Sequence, residues 1–452
     1  MQEPFFSLII WAHDTDVTYF RDCMETLVQQ TYQKYEVYVL DEARTDELAE
    51  ITAEFFPESD RAHYRKLKKK NGGAYAYNIG SHFAEGDYQI FVGQHDRLST
   101  NTLEELAKAI ESIPDEQGAV IYTDHDELVG LDRMNPHFKG GFNRELFRRT
   151  NYIGEFVCIA ASVIKEMGSF LEKASYAYMY EYLMKCDSKG VPFIHVSGLL
   201  YHKRMPDRVA YDKESRRQKD RCHVEHLAVS KGYLAKSNII CEYEQGVSDM
   251  KWDIAYDGSD YRGHQKDYIF VHDPNVRMFT RRNLAKMYGY LKQPDVAVVG
   301  VRFLGNLFTV DNIGYVFDEE GIIYPAFHGQ KIYHESYEGL ATMPRDVSMV
   351  DGGYCMIDAK VYRGLHGFDP SLSGRDAMLD FCLRAREKGY RIVVDPSCIA
   401  RYKNKLVESS EDSHNALMEK QGETIAKGDP YYNKILPLGM TNFVLPGQEE
   451  EI

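Results

Sequence analysis

Apolar runs of strand length punctuate the first half of the chain. FSLII (6–10), EVYVL (36–40), YQIFV (88–92) and AVIYT (119–123) are rich in β-branched and aromatic residues. Helix-patterned stretches separate them, among them Tyr19 to Gln30 and Asn101 to Ser112. The second opens with STNTLEEL, which offers Ser99, Thr100 or Asn101 as N-cap and places Glu104 and Glu105 in the first turn. Strand–helix alternation predicts an α/β fold with a doubly wound, mainly parallel sheet. Such sheets bind ligands at the carboxyl ends of strands, near the point where strand order reverses. Asp41 and Asp96 fall at strand ends. Pro206 to Gly232 is charged and reads as a linker helix, leading to the strand candidates SNIICEYE (237–244) and MKWDIAY (250–256).

The second half repeats part of the first. GDYQIFVGQHD (86–96) matches KDYIFVHDPN (266–275), and FVCIAASVIKEMGSF (156–170) matches GYCMIDAKVYRGLHGF (353–368). YMYEYLMKC (178–186) matches AMLDFCLRA (377–385), so that Met179 and Met378, Glu181 and Asp380, Lys185 and Arg384 keep one offset. This is divergent duplication, not a solenoid. The second copy is short. Only about Ser237 to Lys266 stands in place of the first strand–helix units, too little for a half-domain of ~60 residues. The expected division is 1–205, a linker at 206–265, and a truncated repeat at 266–452 with its tail.

The 452 residues suffice for two or three domains at roughly 150 residues each. No 18-residue apolar run predicts a membrane span, and MQEPFFSLIIWAHD lacks the basic start of a signal peptide. Eight cysteines without a C-x-x-C pair read as reduced core residues of a cytosolic protein. The net charge of −15 argues against nucleic acid and anionic lipid as general partners. Two basic clusters, Arg65, Lys66, Lys68, Lys69 and Lys70, then Arg216, Arg217, Lys219 and Arg221, read as solvated faces in preference to phosphate or membrane patches. The expected location is cytoplasmic, with the inner face of the membrane as its variant. The 33 tyrosines do not by themselves locate a glycan site.

Several stretches carry a family resemblance: FSLIIWAHD (6–14), YEVYVLDEARTDE (35–47), NGGAYAYNIG (71–80), AEGDYQIFV (84–92) and YTDHDELVGLDRMNPHFKGGFNRELFRRTNYIG (122–154). LLYHKR (199–204), VDGGYCMID (350–358), GLHGFDPSL (364–372) and DFCLRAREKGYRIVVDP (380–396) continue it. From Phe6 to about Lys405 the chain resembles the family 2 glycosyltransferases, including rhamnosyltransferase-like members of polysaccharide assembly. The resemblance implies a GT-A fold followed by a truncated GT-A-like domain. It implies a nucleoside-diphosphate sugar as donor and a glycan or lipid-linked glycan of the bacterial surface as acceptor.

Inverting sugar transfer needs groups that hold the nucleotide, a cation for the departing diphosphate and a carboxylate that takes the acceptor proton. By resemblance, Asp14, Asp41, Asn78 and Asp96 are nucleotide-binding candidates, with Asp41 on the nucleobase. Asp124, Asp126, Lys139 and Asn151 are acceptor-side candidates, although such acidic pairs also hold loops by local hydrogen bonds. Asp46 reads as a helix cap. The metal clamp is altered: Gly93, Gln94, His95 and Asp96 stand where the family reads F-L-D-x-D-D. His95, Asp96 and His202 remain as candidate ligands for Mn²⁺ or Mg²⁺. Counting back from LLYHKR, the base position is Met179, whose thioether accepts no proton. Glu181 is the candidate base, its other reading being a residue that fixes the helix start. The second copy has Met378 with Asp380, and His272-Asp273-Pro274 for a clamp. Two readings follow. One is an active transferase with altered metal and base groups. The other is a pseudo-enzyme that binds nucleotide or glycan, or supports a partner transferase.

Overall fold

The computed structural model describes residues 3–43, 45–57, 61–68, 71–114, 118–205, 213–237, 239, 241–245, 251–332, 339–404 and 409–436. Lys69, Lys70, the start of the expected linker at 206–212 and the side chains of Arg216 and Arg217 lie outside that description. The chain divides into two compact units. The first holds residues 1–142 and 151–233, the second 143–150 and 234–452.

The strands of the first unit are β1 (Phe6–Ala12), β2 (Tyr35–Asp41), β3 (Ala62–Lys66), β4 (Tyr88–Gly93), β5 (Arg97–Leu98), β6 (Val120–Val129), β7 (Asp132–His137), β8 (Val157–Ala160) and β9 (Phe193–Arg204). Its helices are α1 (Val17–Val28), α2 (Glu47–Phe55), α3 (Gly73–Phe83) and α4 (Thr102–Glu111). They are followed, beyond the short α5 (Arg144–Phe147) of the second unit, by α6 (Ala161–Met167), α7 (Tyr178–Ser188) and α8 (Lys213–Lys236). The sheet runs β3-β2-β1-β4-β8-β6-β9-β5, with β7 on β6. β3, β2, β1 and β4 are parallel, and β8 is antiparallel to both its neighbours. The central strands are apolar on both faces because helices cover both: β2 is buried throughout and β1 everywhere except Trp11. Strand order reverses between β1 and β4, so their carboxyl ends face the natural ligand position.

Local chemistry sets the helix starts. Asp16 accepts from the amides of Thr18 (2.8 Å) and Tyr19 (3.3 Å) and caps α1. The capping expected of Asp46 is corrected. Asp46 precedes α2, but its side chain makes no cap bond; it pairs instead with Lys66 at 3.3 Å. Asn101 precedes α4, also without a side-chain cap bond.

The second unit has β10 (Cys241–Gln245), β11 (Trp252–Tyr256), β12 (Tyr268–His272), β13 (Val276–Met278), β14 (Val296–Leu304), β15 (Val310–Asn312), β16 (Tyr315–Phe317), β17 (Ile323–Pro325), β18 (Arg345–Asp346), β19 (Tyr354–Asp358) and β20 (Arg391–Tyr402). With α5 it holds α9 (Asn283–Leu291), α10 (Ala359–Gly364), α11 (Gly374–Glu387) and α12 (Glu411–Ile425). Its main sheet runs β12-β19-β14-β20-β13. That order reproduces β4-β8-β6-β9-β5 of the first unit, strand for strand. The directions agree as well. β12–β19, β14–β19 and β13–β20 are antiparallel and β14–β20 is parallel, as are their counterparts. The second unit therefore repeats the latter half of the first sheet, and among the described residues it has no equivalents of β1, β2 and β3.

Residues 143–150 are built into the second unit through buried ion pairs. Arg149 is fully buried, bonded to Glu145 and to the carbonyl of Ile254 at 2.8 Å. Arg391 on β20 reaches Glu145 (3.2 Å), Asp346 (2.8 Å) and Asp295 (2.8 Å). Buried charges persist only when paired in this way.

Candidate active site

The turn after β1 and the residues after β4 bond to one another. Gln94 accepts from the amide of His13 (2.9 Å) and the hydroxyl of Thr15 (2.5 Å), and donates to the His13 carbonyl (2.9 Å). His95 Nε2 accepts from the Asp16 amide at 3.1 Å, and burial holds its pKa below the ordinary histidine value. Asp14 sits at φ 42° in this turn. Trp11, at the end of β1, stacks on His13 with ring centres 3.8 Å apart.

Asp96 is held from two sides. It accepts from the Tyr201 hydroxyl and, at 2.7 Å, from the Arg204 amide. Its carboxyl is pushed above the usual range by burial above all, against those two hydrogen bonds. A β-carbon on Gly93 would lie 1.9 Å from Asp96 Oδ2, so glycine is required there by the carboxylate's position. His202 is spoken for at both ring nitrogens, by Asp126 at 2.6 Å and Ser99 at 3.0 Å.

Among the described residues no three of His, Cys, Asp and Glu, His95, Asp96 and His202 included, are grouped to hold a metal ion together. Both Asp96 oxygens and His95 Nε2 accept hydrogen bonds, an arrangement that differs from an Asp-x-Asp type of clamp.

Asp41 is fully buried at the end of β2. Tyr64 (2.5 Å), Lys66 (3.2 Å) and the Ala43 amide (2.6 Å) donate to it. Asn78 bonds the backbone of Phe170 in both directions, at 2.7 and 3.1 Å. On the acceptor side, Asp124 binds His195 (2.7 Å) and the amides of Lys139 (2.7 Å) and Gly198 (2.8 Å). Lys139 Nζ donates to the Ile153 carbonyl at 2.6 Å, and Asn151 accepts from the Gly154 amide at 3.3 Å. Asp126 also pairs with Arg133 at 2.6 Å. These side chains shape loops, the second of the two roles that the sequence left open.

The base position is buried. Met179 is 2% exposed. Glu181, two residues on, accepts from the Tyr233 hydroxyl of α8 at 2.7 Å, while its other oxygen is buried without a hydrogen-bond partner. Glu181 is the acidic residue in the first turn of α7, as the helix-start reading expects, but it makes no cap bond. The amide bonds at this end go to Glu225 of α8, which accepts from Tyr176 (2.7 Å) and Ala177 (3.2 Å), where an anion suits the helix dipole. The second unit duplicates the arrangement, since Gln421 of α12 donates to Asp380 at 3.0 Å and Ser413 of α12 accepts from the Ser373 amide at the start of α11 at 3.0 Å.

The sequence reading passed over Gln94, Tyr201, Glu225 and Tyr233, whose roles depend on contacts distant in sequence. It also passed over Glu155 and Lys203. Both are exposed, with no hydrogen bond or ion pair among the described residues. A charged residue opening the otherwise apolar run EFVCIA was the available signal for Glu155.

The chain is similar in sequence to several known proteins. An uncharacterized protein of Sinorhizobium fredii, y4gI, is 21% identical over 98% of this chain and 58% of its own length. The O-antigen biosynthesis protein RfbC of Myxococcus xanthus is 28% identical over 45% of this chain and 16% of its own length. A chondroitin synthase of Escherichia coli is 26% identical over 44% of the chain and 29% of its own length. The chain thus spans 58% and 16% of the length of the first two relatives. Among solved structures, Staphylococcus aureus TarS 1–349 in complex with UDP-GlcNAc aligns with a TM-score of 0.39 and 18% identity, over 51% of this chain and 71% of that one. The mannosyltransferase PcManGT of Pyrobaculum calidifontis, in complex with GDP-Man and Mn²⁺, aligns with a TM-score of 0.38 and 15% identity, over 52% and 76%. The glycosyl transferase family 2 model matches residues 7–168, the span from β1 through α6 that contains the β1–β4 switch point, and the chain therefore carries a family 2 glycosyltransferase domain.

Proposed function

We propose that the protein transfers a sugar from a nucleoside-diphosphate sugar to a growing bacterial surface polysaccharide. The carrying observation is the family match over residues 7–168 laid on a sheet that reverses its order between β1 and β4. RfbC and the chondroitin synthases bear names of polysaccharide synthesis, which supports the acceptor class. The nucleotide would lie over the carboxyl ends of β1, β2 and β4, against Trp11, His13 and the turn at Asp14. Asp41 would serve it by fixing Tyr64 and Lys66. Asp96 and Asn78 would position the strand end and the loop at Phe170. A glycan or lipid-linked glycan would approach the loops that Asp124, Asp126, Lys139 and Asn151 hold. No helix among the described residues is long and apolar enough to cross a membrane. The proposed place of work is the cytoplasm or the inner face of the membrane, where nucleotide sugars are available.

The test is calorimetric titration with UDP, dTDP and GDP, with and without Mn²⁺, followed by release of nucleoside diphosphate from the matching sugar donors. Heat with one nucleotide and release from its sugar support the reading. No heat with any of the three at millimolar concentration overturns it.

A second reading has its own observation. Met179 is buried and Glu181 is bonded to Tyr233, so the helix that would carry the family's base presents no free carboxylate. The protein would then bind nucleotide or glycan without transfer, or support a partner transferase. Nucleotide binding with no release from any donor would favour it.

A further inference from the structure

We propose that Glu155 is the general base of this site and that Lys203 faces the departing diphosphate, an inference that rests on the transferase reading above. The helix that would supply a carboxylate offers buried Met179 and a Glu181 with one oxygen bonded to Tyr233 and the other buried. An exposed carboxylate at the strand end comes from another element. β4 and β8 pair antiparallel as Tyr88 to Ala160, Gln89 to Ile159 and Ile90 to Cys158. That pairing ends at Ile90 and Cys158; continued in the same register, it would set Glu155, two residues ahead of β8, opposite Gly93, the position whose carboxylate is missing.

Side-chain contacts anchor that placement. Phe156, next to Glu155, stacks on Tyr201 with ring centres 4.3 Å apart. The Tyr201 hydroxyl accepts from the Gly93 amide at 3.4 Å and donates to Asp96. Lys203 lies two residues along β9 from Tyr201, on the same face of the strand. The charges of Glu155 and Lys203 both act on Asp96, in opposite senses, and both act on the Cys222 thiol of α8, whose pKa burial chiefly raises. Glu155 also acts on Tyr77 and Tyr178, both raised mainly by burial. Among the described residues neither the exposed carboxylate nor the exposed ammonium is engaged, and both charges act on Asp96, just past the end of β4.

The second unit shows that the fold does not ask for a carboxylate here. Its matching residue is Gly353, which accepts from the Asp273 amide at 2.8 Å across the strands. The carboxylate there stands on the other strand, and Asp273 closes its own turn by accepting from the Asn275 amide at 2.7 Å. Among the described residues an unengaged Glu stands at this sequence position in the first unit and a glycine in the second.

The chemistry balances without a further reactant. The acceptor oxygen bonds to the anomeric carbon as its proton passes to the Glu155 carboxylate. The bond from that carbon to the diphosphate oxygen breaks, and the electron pair leaves on the nucleoside diphosphate, opposite the Lys203 ammonium. Glu155 then returns its proton to water.

The experiment uses the full chain and follows nucleoside diphosphate release from UDP-, dTDP- and GDP-sugars, with water as acceptor. Glu155→Gln should lower release roughly 10²–10⁴-fold, the usual contribution of a general base. It should leave the dissociation constant of the nucleoside diphosphate and the melting temperature unchanged. The acid limb of the pH–rate profile should disappear, and Glu155→Asp should keep both the limb and part of the rate. Lys203→Met should weaken diphosphate binding. Release that survives Glu155→Gln overturns the assignment and leaves the transferase reading intact. A loss of rate explained by weaker nucleotide binding or by unfolding overturns it too. Nucleotide binding with no release by the unmodified protein overturns both.

Discussion

The Tyr233 hydroxyl donates to the Glu181 carboxylate at 2.7 Å, joining α8 to α7. Gln421 donates to Asp380 at 3.0 Å in the second unit, joining α12 to α11. An acidic residue that occurs twice with the same kind of partner is a structural tie. Tyr233→Phe should therefore lower stability by roughly 1–3 kcal/mol, because it strands a buried carboxylate. Nucleotide affinity should not change. Urea unfolding and calorimetry on the same variant check both. Lost affinity at unchanged stability would instead place Glu181 at the ligand.

Restoring the family's clamp carboxylate should fail. Gly93→Asp drives a side chain into Asp96 Oδ2, which sits 1.9 Å from the required β-carbon. Asp96 would have to leave Tyr201 and the Arg204 amide. The expected cost is typically 1–3 kcal/mol for such overpacking, measured by urea unfolding, with no gain in metal affinity. A Gly93→Asp variant that is equally stable and binds Mn²⁺ tightly would show that the strand end can open.

Nucleotide binding should depend little on divalent cations. His95 already accepts the Asp16 amide at 3.1 Å, and both His202 nitrogens are bonded. Calorimetry with and without Mn²⁺ should give similar dissociation constants. A steep gain on adding Mn²⁺, abolished by His95→Ala, would contradict this.

The second unit should be sensitive to acid. Burial alone would raise the Glu145 carboxyl, but Arg149, Arg148 and Arg391 hold it down to about 2, from an ordinary value of 4.5. A depressed carboxyl stabilises the fold above its unfolded pKa, and that contribution is lost as pH falls from about 4.5 towards 2. The loss is on the order of 3 kcal/mol. Burial raises Asp346, which works in the opposite sense. Arg391→Met should cost about 3–5 kcal/mol at neutral pH by leaving buried carboxylates unpaired, and should flatten the acid dependence. Each unit contains one tryptophan, Trp11 or Trp252. Fluorescence of a Trp11→Phe variant across this pH range therefore follows the second unit. A pH-independent midpoint between pH 5 and 3 would refute the prediction.

Much of the fold was legible from local pattern. FSLII, EVYVL and YQIFV became β1, β2 and β4 because a run that is apolar on both faces finds burial on both only at the centre of a helix-covered sheet. The repeat was legible because Met179 and Met378, Glu181 and Asp380, and Lys185 and Arg384 serve the same packing in both units. Lys185 and Arg384 each donate to the backbone of the loop ahead of their helix. What the sequence could not decide was the use of each polar group. Asp41, Asp96 and His202 have residue types suited to ligands, yet the structure bonds them to Tyr64, Tyr201, Ser99 and backbone amides. A side chain's free valence depends on neighbours up to a hundred or so residues away, and only the tertiary fold brings them within hydrogen-bond reach. By the same physics Glu155, ahead of β8 in apolar text, became conspicuous only when the fold stacked its neighbour Phe156 on Tyr201, whose hydroxyl meets Gly93 and Asp96.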